Sequence, residues 1–358
     1  MDKYLVAVVG ASGYTGIELV RLLLGHEGFE LVAATSDSGQ GQLLSQAYPA
    51  LYGQTDLRFS PMASLEGLDL DAVFLAVPHT AAMEITPYFL GRGISVFDLS
   101  ADFRLRDPLV YEQWYGHAHT APGLLPMAVY GLPELYRSNL REVAEQRQAG
   151  YGPALVACPG CYPTASALAI APAIAAGAML PDHPVIINAI SGASGMGKQA
   201  TEASHFISIN EDMRAYNVGS HRHTPEIAQT LSTEAGHPVK VQFTPHLVPI
   251  SRGLLATVTL SLLPNLSQEI FDTIYSAAYA DEPFAKLLPD GQMPQTSSVR
   301  GSNMAQIGIR FDAGTDQLVA CCAIDNLGKG ASSQAVQCAN IIFGYPETTG
   351  LDSIGSVV

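Results

Sequence analysis

Charged residues are scarce in this chain of 358 residues: they make up 14% of it, against about 25% in an average soluble protein. Lys and Arg together number 18 against 33 Asp and Glu, so the formal net charge is -15. Because phosphate contacts supply most of the affinity for nucleic acid, this balance argues against a nucleic-acid-binding protein. Any anionic ligand must be held by local devices such as helix N-termini and a few placed cations.

Long apolar runs are also missing. The longest near-apolar stretch, 167–180, is interrupted by Pro172 and Gly177, and it falls short of the roughly 18 residues of a membrane-spanning helix. The opening MDKYLVAVVG lacks the features of a signal peptide. Cysteine is sparse and odd in number, at five, which is typical of a reducing compartment and leaves one thiol available for chemistry. We expect a cytoplasmic protein that does not bind a membrane.

Apolar residues are abundant, at 47%, and they form two different strand patterns. In the first half, continuous apolar runs alternate with helical segments, which is typical of a parallel sheet covered on both faces. In the second half, 254–262 alternates polar and apolar residues, which favours a largely antiparallel sheet with one exposed or partner-facing side. The sequence predicts an α/β chain whose two domains meet near 158–162, with the helix at 331–343 packed back onto the first. Segment 104–133 is predicted to be ordered loop.

A glycine-rich turn, Gly10-Ala11-Ser12-Gly13-Tyr14-Thr15-Gly16, follows the first predicted strand and opens a helix over 17–25. Glycines at this spacing let backbone amides approach a pyrophosphate, and the helix N-terminus adds partial positive charge. We therefore predict a Rossmann-like dinucleotide site.

The choice of dinucleotide stays open. The second strand ends at Thr35-Ser36-Asp37-Ser38, with no Arg close by in the sequence. Asp37 favours NAD by bonding a ribose hydroxyl, whereas Ser36 and Ser38 favour NADP by donating to a 2′-phosphate.

A second glycine-rich segment, 192–198, matches the phosphate-binding pattern G-x-x-x-x-G-K. The next residue is Gln199, where a P-loop needs Ser or Thr to hold Mg²⁺, so a P-loop phosphotransferase is disfavoured. We interpret the segment as a glycine turn after a strand at 185–190, with Ser194 and Lys198 available to an anionic group.

The segment Cys158-Pro159-Gly160-Cys161-Tyr162-Pro163-Thr164 carries the candidate nucleophile. A strand is predicted to end at Cys158, and Pro163 suits the first turn of a helix that continues over 165–176. Cys161 then lies at the beginning of that helix, where unpaired amides and the helix dipole stabilise a thiolate. Cys158 is interpreted as structural, and cysteines 321, 322 and 338 as core residues whose spacing does not complete a zinc site.

The run HRHTPEI at 221–227 carries the candidate acid–base group. Thr224 suits an N-cap and Pro225 a first helical residue, so His223 precedes a helix N-terminus, which disfavours the imidazolium. Glu226 in the first turn could orient one ring, and His221 points the same way as His223 in an extended segment. No third ligand is evident, so no metal is predicted.

Together these motifs resemble the N-acetyl-gamma-glutamyl-phosphate reductase family, whose members are NADP-dependent enzymes of arginine biosynthesis. The resemblance covers essentially the whole chain and is carried by VACPGCYPTASALAIAP at 156–172, GASGYTG at 10–16, FDLSADFRL at 97–105, YGLPEL at 130–135, SGASGMGK at 191–198, HRHTPEI at 221–227 and DNLGKGASSQAVQ at 325–337. Aspartate-semialdehyde dehydrogenase is a related family with a similar plan.

The resemblance implies a dinucleotide-binding domain over 1–158, completed by the C-terminal helix 331–358, and an α+β catalytic and oligomerisation domain over 159–330. It implies Cys161 as nucleophile and a histidine of the HRH run as acid or base; we favour His223, paired with Glu226, over His221. The implied cofactor-binding residues are Gly10, Ser12, Gly13, Tyr14, Thr15, Gly16, Ser36, Ser38 and Asn326. The implied substrate-binding residues are Arg104, Ser194 and Lys198. A surface arginine is an equally good interpretation of Arg104.

The implied reaction is the NADPH-dependent reduction of N-acetyl-glutamyl 5-phosphate to the semialdehyde through a cysteine thioester, in a cytoplasmic homo-oligomer, either dimer or tetramer. Two alternatives remain: a semialdehyde-dehydrogenase-like enzyme acting on another acyl phosphate, and a nucleotide-binding regulator with no catalytic activity.

Overall fold

The computed structural model describes residues 3–356, which form two compact units. One unit comprises the residues up to Pro159 together with Ala331–Asp352, and the other comprises Gly160–Gly330 and the residues from Ser353 on. The expectation that all of 331–358 belongs to the first domain is therefore wrong at its end. The physical reason is that the Ser356 amide donates to the Arg300 carbonyl (2.9 Å), which ties this tail to the second unit.

The strands are β1 (Tyr4–Val9), β2 (Phe29–Thr35), β3 (Phe59–Ser60), β4 (Ala72–Leu75), β5 (Ser95–Asp98), β6 (Val129–Tyr130), β7 (Leu155–Ala157), β8 (Val185–Gly192), β9 (Arg214–Ala215), β10 (Val241–Val248), β11 (Leu254–Ser261), β12 (Ala285–Leu287), β13 (Ala305–Asp312) and β14 (Gln317–Ile324). The helices are α1 (Tyr14–Leu24), α2 (Leu44–Ala47), α3 (Ala81–Gly91), α4 (Pro108–Tyr115), α5 (Pro133–Gln148), α6 (Cys161–Ala175), α7 (Phe206–Ile209), α8 (His223–Ala235), α9 (Gln268–Tyr279) and α10 (Ser333–Phe343). No helix within 3–356 is long and apolar enough to cross a membrane.

The sheet of the first unit has the order β3-β2-β1-β4-β5-β7-β6, and its strands pair in parallel, as predicted. The side chains of β4, β5 and β7 are buried on both faces, which is why β4 and β7 are continuously apolar and the centre of β5 is Val96-Phe97. The strand order reverses between β1 and β4, and ligands of such sheets bind beyond the carboxyl ends of the strands at this point. The glycine-rich turn that follows β1 lies at this switch point.

Helix α10 packs against α1 and α5 in the first unit. The ring of Phe343 lies 4.5 Å from that of Tyr4 and 5.4 Å from that of Phe29, measured between ring centres. This aromatic cluster fixes the returning helix on the strands of the first sheet.

The sheet of the second unit is mixed, in the order β12-β13-β14-β11-β8-β10-β9. Its pairings are antiparallel except for β8 with β10 and β12 with β13, so the predicted largely antiparallel sheet is confirmed. Buried and half-exposed residues alternate along β11, and α6 packs against this strand. The fold class is thus α/β with two different sheets.

Segment 104–133 is not only loop, contrary to the sequence-based expectation, because it contains α4 and β6. The Asp107 carboxylate accepts a hydrogen bond from the Leu109 amide (2.8 Å), Pro108 occupies the first helical turn, and Gly116 ends the helix at φ 74°. The sequence contained the signals of this helix, namely an N-cap, a proline and a terminating glycine. They were overlooked because the whole segment is rich in turn-forming residues.

Candidate active site

Cys161 is the first residue of α6, as the sequence predicts. Gly160 precedes it in an extended conformation, and the Thr164 amide donates to the Gly160 carbonyl (3.0 Å), which closes the first turn. The first amides of a helix have no partners within the helix, and together with the helix dipole they favour a thiolate at this position. The side chain is partly exposed, so a reactant can reach it.

Gly330 packs directly against Cys161. A Cβ built on Gly330 would lie 2.7 Å from the Cys161 Cβ, which no side chain tolerates. The Gly330 amide donates to the Asp325 carbonyl (2.9 Å), so the turn from 325 to 330 is held in this close approach. The glycine therefore leaves the nucleophile its space.

The other cysteine of the motif, Cys158, is a core residue, as predicted. It is fully buried, and burial raises the pKa of its thiol well above the usual value. Its carbonyl accepts a hydrogen bond from Arg104 Nε (2.7 Å), while Arg104 Nη2 donates to the Leu99 carbonyl (2.9 Å). Arg104 is buried, so its interpretation as a surface arginine is wrong; it fixes the chain just before the nucleophile.

Helix α8 begins at His223, two residues earlier than the predicted first residue, Pro225. The Thr224 amide donates to the His221 carbonyl (2.9 Å), so Thr224 lies inside the first turn and Arg222 takes the N-cap position. The two imidazole rings lie 4.9 Å apart between centres. The structure thus brings both candidate histidines together at the beginning of one helix.

His221 is enclosed by aromatic rings: those of Tyr162, Tyr216 and Phe243 have centres 5.6, 5.4 and 5.3 Å from its own. This burial, with a smaller effect from the charge of Arg222, lowers the pKa of His221 to about 4. Its Nδ1 faces the His223 amide (3.2 Å) and accepts its hydrogen. His221 is therefore neutral at physiological pH, with its proton on Nε2.

Two tyrosines that the sequence analysis missed connect this cluster to the nucleophile. Tyr162, next to Cys161 in the chain, has its ring centre 5.9 Å from that of His223, and its hydroxyl lies 3.2 Å from that of Tyr216. Burial raises the pKa of Tyr216 to about 12. The hydrogen bond with Tyr162 lowers this pKa in part, and the charge of Cys161 raises it further. The nucleophile and the rings thus share one electrostatic environment.

Glu226 is buried in the first turn of α8, and its Oε1 accepts a hydrogen bond from the Gly160 amide (2.9 Å). The sequence suggested a carboxylate that orients an imidazole. The contact with Gly160 ties α8 to the residue immediately before Cys161. The pairing of Glu226 with an imidazole stays a prediction.

Ser194, Lys198 and Asn326 lie in the second unit. Ser194 Oγ accepts a hydrogen bond from Asn326 Nδ2 (2.9 Å), and Asn326 Oδ1 accepts one from the Gly253 amide (2.8 Å). Lys198 is exposed in the loop after β8. Residues 193–196 form a short 3₁₀ turn, not the α-helix that must follow a P-loop, so this segment is the glycine turn that the sequence analysis proposed.

The glycine-rich turn of the first unit fits a dinucleotide. Gly10 has φ 83°, and a Cβ there would lie 2.4 Å from the Ala76 carbonyl oxygen; one on Gly16 would lie 2.3 Å from the Gly10 oxygen. A Cβ on Gly13 would meet no atom closer than 3.8 Å. Two glycines therefore allow the tight turn, while Gly13 leaves open the space at the beginning of α1, where amides can receive a pyrophosphate.

Three predicted cofactor residues meet beside this turn. The Ser36 hydroxyl lies 2.7 Å from that of Ser12 and 3.4 Å from that of Ser38. No arginine lies close to these serines in the sequence, but pairing of β3 with β2 brings Arg58 to the same loop, where its Nη1 donates to the Gly41 carbonyl (2.7 Å). Asp37 and Arg58 are both exposed.

Comparisons with known proteins agree with this geometry. Residues 5–143 match the family described as semialdehyde dehydrogenase, NAD binding domain, and residues 161–326 match its dimerisation domain. The N-acetyl-gamma-glutamyl-phosphate reductase of Symbiobacterium thermophilum is 48% identical over 355 residues, covering 98% of each chain. That of Rhodospirillum rubrum is 45% identical over 358 residues, with the same coverage. The chain belongs to the N-acetyl-gamma-glutamyl-phosphate reductase family.

Membership of the N-acetyl-gamma-glutamyl-phosphate reductase family confirms the resemblance seen in the sequence and makes the glycine-rich turn part of a NAD-binding domain. The fold agrees with solved structures of aspartate semialdehyde dehydrogenases. That of Vibrio cholerae, complexed with ASA, superimposes with a TM-score of 0.69 at 16% identity, covering 96% of this chain and 98% of that one. The Candida albicans enzyme with NADP gives a TM-score of 0.67 at 16% identity, covering 95% and 98%.

Proposed function

We propose that this protein catalyses the NADPH-dependent reductive dephosphorylation of N-acetyl-glutamyl 5-phosphate to N-acetyl-glutamate 5-semialdehyde; its relatives are named N-acetyl-gamma-glutamyl-phosphate reductases. The observation that carries the proposal is Cys161 at the first turn of α6, whose chain neighbour Tyr162 packs against the two histidines and bonds Tyr216. A thiol in this setting suits attack on an acyl carbon. The arginine-biosynthetic role follows from this substrate.

The residues of the second unit divide the chemistry as follows. The Cys161 thiolate attacks the acyl carbon, the bond to the phosphate oxygen breaks, and a thioester remains on the sulfur. NADPH, when bound, supplies the hydride that reduces the thioester. His223 moves the proton that the hemithioacetal oxygen or the departing sulfur requires. We assign this role to His223 because His221 is neutral at physiological pH and has no imidazolium proton to give.

The anionic groups of the substrate require cations and hydrogen-bond donors in this acidic chain. Ser194 and Lys198 follow β8, and Arg104 holds the chain before Cys161. Their role as substrate-binding residues stays a proposal, as does the role of Asn326, which bonds Ser194, in binding the cofactor.

Three features of the first unit support a preference for NADP. Ser36 and Ser38 lie together at the end of β2, and Arg58 is held on the same loop. Hydroxyls and a guanidinium suit a 2′-phosphate, whereas only Asp37 favours the 2′-hydroxyl of NAD.

Arg58→Ala should weaken NADPH binding by ~10-fold, the loss expected for one charge-assisted hydrogen bond, while NADH binding changes little. Quenching or enhancement of nicotinamide fluorescence gives both dissociation constants. Arg92→Ala is the matched control, because Arg92 also donates to backbone carbonyls of this unit, those of Leu65 and Leu68. If Arg58→Ala weakened the binding of NADPH and NADH equally, Arg58 would not bind the 2′-phosphate.

The second unit matches a dimerisation domain, and one face of its sheet suits a second copy of the chain. Half-exposed, uncharged side chains alternate with the buried ones along β8, β11 and β14, and include Ile190, Leu255, Thr257, Val319 and Cys321. We propose a homo-oligomer that is built through this face. The five free cysteines are consistent with the proposed cytoplasmic location.

One assay tests the whole proposal. The purified protein is given acetylglutamyl phosphate or aspartyl phosphate, each with NADPH or NADH, and aldehyde formation is followed by loss of reduced cofactor. We expect turnover with acetylglutamyl phosphate and NADPH to exceed the other combinations. Preference for aspartyl phosphate would move the protein to the semialdehyde-dehydrogenase alternative, and cofactor binding without any turnover would make it a regulator.

A further inference from the structure

Arg252 lies beside the segment that contains Ser194, and it belongs to none of the sequence motifs described above. Arg252 precedes β11, and both of its chain neighbours bond the segment that ends β8. The Ser194 amide donates to the Ser251 carbonyl (3.2 Å), and the Gly192 amide donates to the Gly253 carbonyl (2.9 Å). Arg252 is therefore fixed in the chain next to the segment where we placed a substrate-binding serine.

The guanidinium of Arg252 is oriented by a buried carboxylate. Asp325 is fully buried, and its two carboxylate oxygens lie 3.1 and 3.0 Å from Arg252 Nε. The same carboxylate accepts hydrogen bonds from the Gly301 amide (2.6 Å) and the Leu327 amide (2.9 Å), so it cannot follow a moving partner. About a quarter of the Arg252 side chain, 24%, remains exposed, so the oriented group can meet a ligand.

This ion pair is linked to the nucleophile through one short turn. The carboxylate of Asp325 holds Arg252, the carbonyl of Asp325 accepts the Gly330 amide (2.9 Å), and Gly330 packs on Cys161. Asn326, the next residue in this turn, bonds both Ser194 and Gly253. One segment thus sets the positions of an arginine and of the thiol relative to each other.

We propose that Arg252 is a substrate-binding residue that receives an oxyanion of the substrate, and that Asp325 is its positioning residue. The inference rests on the proposed function, whose substrate carries a carboxylate and a phosphate. A planar guanidinium binds either group through paired hydrogen bonds, and it does so best when its direction is already fixed. The anchored Nε directs the fork, which a lysine in its place cannot reproduce.

Arg252→Lys tests the proposal, because it keeps a positive charge beside Asp325 but loses the fork. The assay is the reverse reaction, in which the semialdehyde and inorganic phosphate are separate substrates. We expect one of the two KM values to rise by ~10-fold with kcat changed less, as for loss of a charge-assisted hydrogen bond. A raised KM for the aldehyde assigns the carboxylate, and a raised KM for phosphate assigns the leaving group.

Arg310→Lys is the matched control: Arg310 also pairs with an aspartate of this unit, Asp290 (3.6 Å), but near the other end of β13, and both side chains are exposed. It should leave both KM values unchanged. Asp325→Asn should raise the same KM as Arg252→Lys, whereas a purely structural aspartate would lower kcat alone.

Two results would count against the inference, and they are distinguishable. Wild-type protein that is active, with KM values unaltered in Arg252→Lys, would overturn the role of Arg252 and leave the proposed function intact. Wild-type protein that does not oxidise the semialdehyde would overturn both. Circular dichroism and thermal unfolding, measured in parallel for each variant, show that the protein is folded.

Discussion

Replacing Cys161 by Ser is expected to abolish aldehyde formation, with kcat/KM falling by at least ~10⁴-fold. The hydroxyl keeps the size of the thiol, but at neutral pH it is neither ionised nor comparably nucleophilic, so the first turn of α6 has no anion to stabilise. NADPH binding should change by less than about twofold, a shift of only a few tenths of a kcal/mol, because the glycine-rich turn belongs to the other unit of the chain. Steady-state rates and cofactor titration measure the two effects.

Cys338→Ser is the control for the loss of a thiol. Cys338 is fully buried on α10, and its sulfur donates to the Gly131 carbonyl (3.3 Å), a hydrogen bond that a serine hydroxyl keeps. Its variant should retain wild-type turnover. Mass spectrometry after brief treatment with iodoacetamide at pH 7 should find the label on Cys161 first. A Cys161→Ser protein with wild-type rates would end the covalent route.

The parts of the site that sequence predicts are those set by neighbours in the chain. Cys161 is found at the beginning of a helix because a buried strand ends at Ala157 and a proline suits the first turn. The glycine-rich turn is found for the same reason, since strand, turn and helix follow one another within 25 residues. Patterns formed by neighbouring residues predict the local geometry directly from the sequence.

The parts that sequence misses depend on pairing between distant segments. Arg58 reaches the loop that follows β2 only through the register of β3 with β2. Tyr216 meets Tyr162 across 54 residues, and Arg252 meets Asp325 across 73. No periodicity in one chain records these separations, so neither arginine was singled out from the sequence.

Glu226 makes a contact that the sequence did not suggest, although its position in the first turn of α8 was predicted correctly. The sequence placed a carboxylate in the first turn of a helix with two histidines beside it, and an imidazole was the nearest polar group. In the folded chain the Gly160 amide donates a hydrogen bond to Oε1 (2.9 Å). A buried carboxylate takes donors wherever the backbone leaves them, and one donor here was the residue before the nucleophile.

His223→Asn should lower turnover by ~100-fold or more, within the range for loss of general acid–base catalysis. His221→Asn should cost less, because His221 has a pKa of about 4 and is neutral throughout the range in which the enzyme would be assayed. It can donate a hydrogen bond from Nε2, and asparagine keeps a donor there. The pH dependence of kcat/KM between pH 5 and 9 should therefore be the same in His221→Asn as in the wild-type protein.

The pair of variants decides which ring moves the proton, since the two imidazoles lie only 4.9 Å apart between centres and either could reach a nearby oxygen. Burial among aromatic rings is what separates them: it lowers the pKa of His221, so its charged form is populated only below about pH 4. A histidine whose imidazolium form is not populated at neutral pH contributes little as a general acid. If His221→Asn proved the more damaging change and altered the pH dependence of kcat/KM, the roles of the two histidines would be reversed.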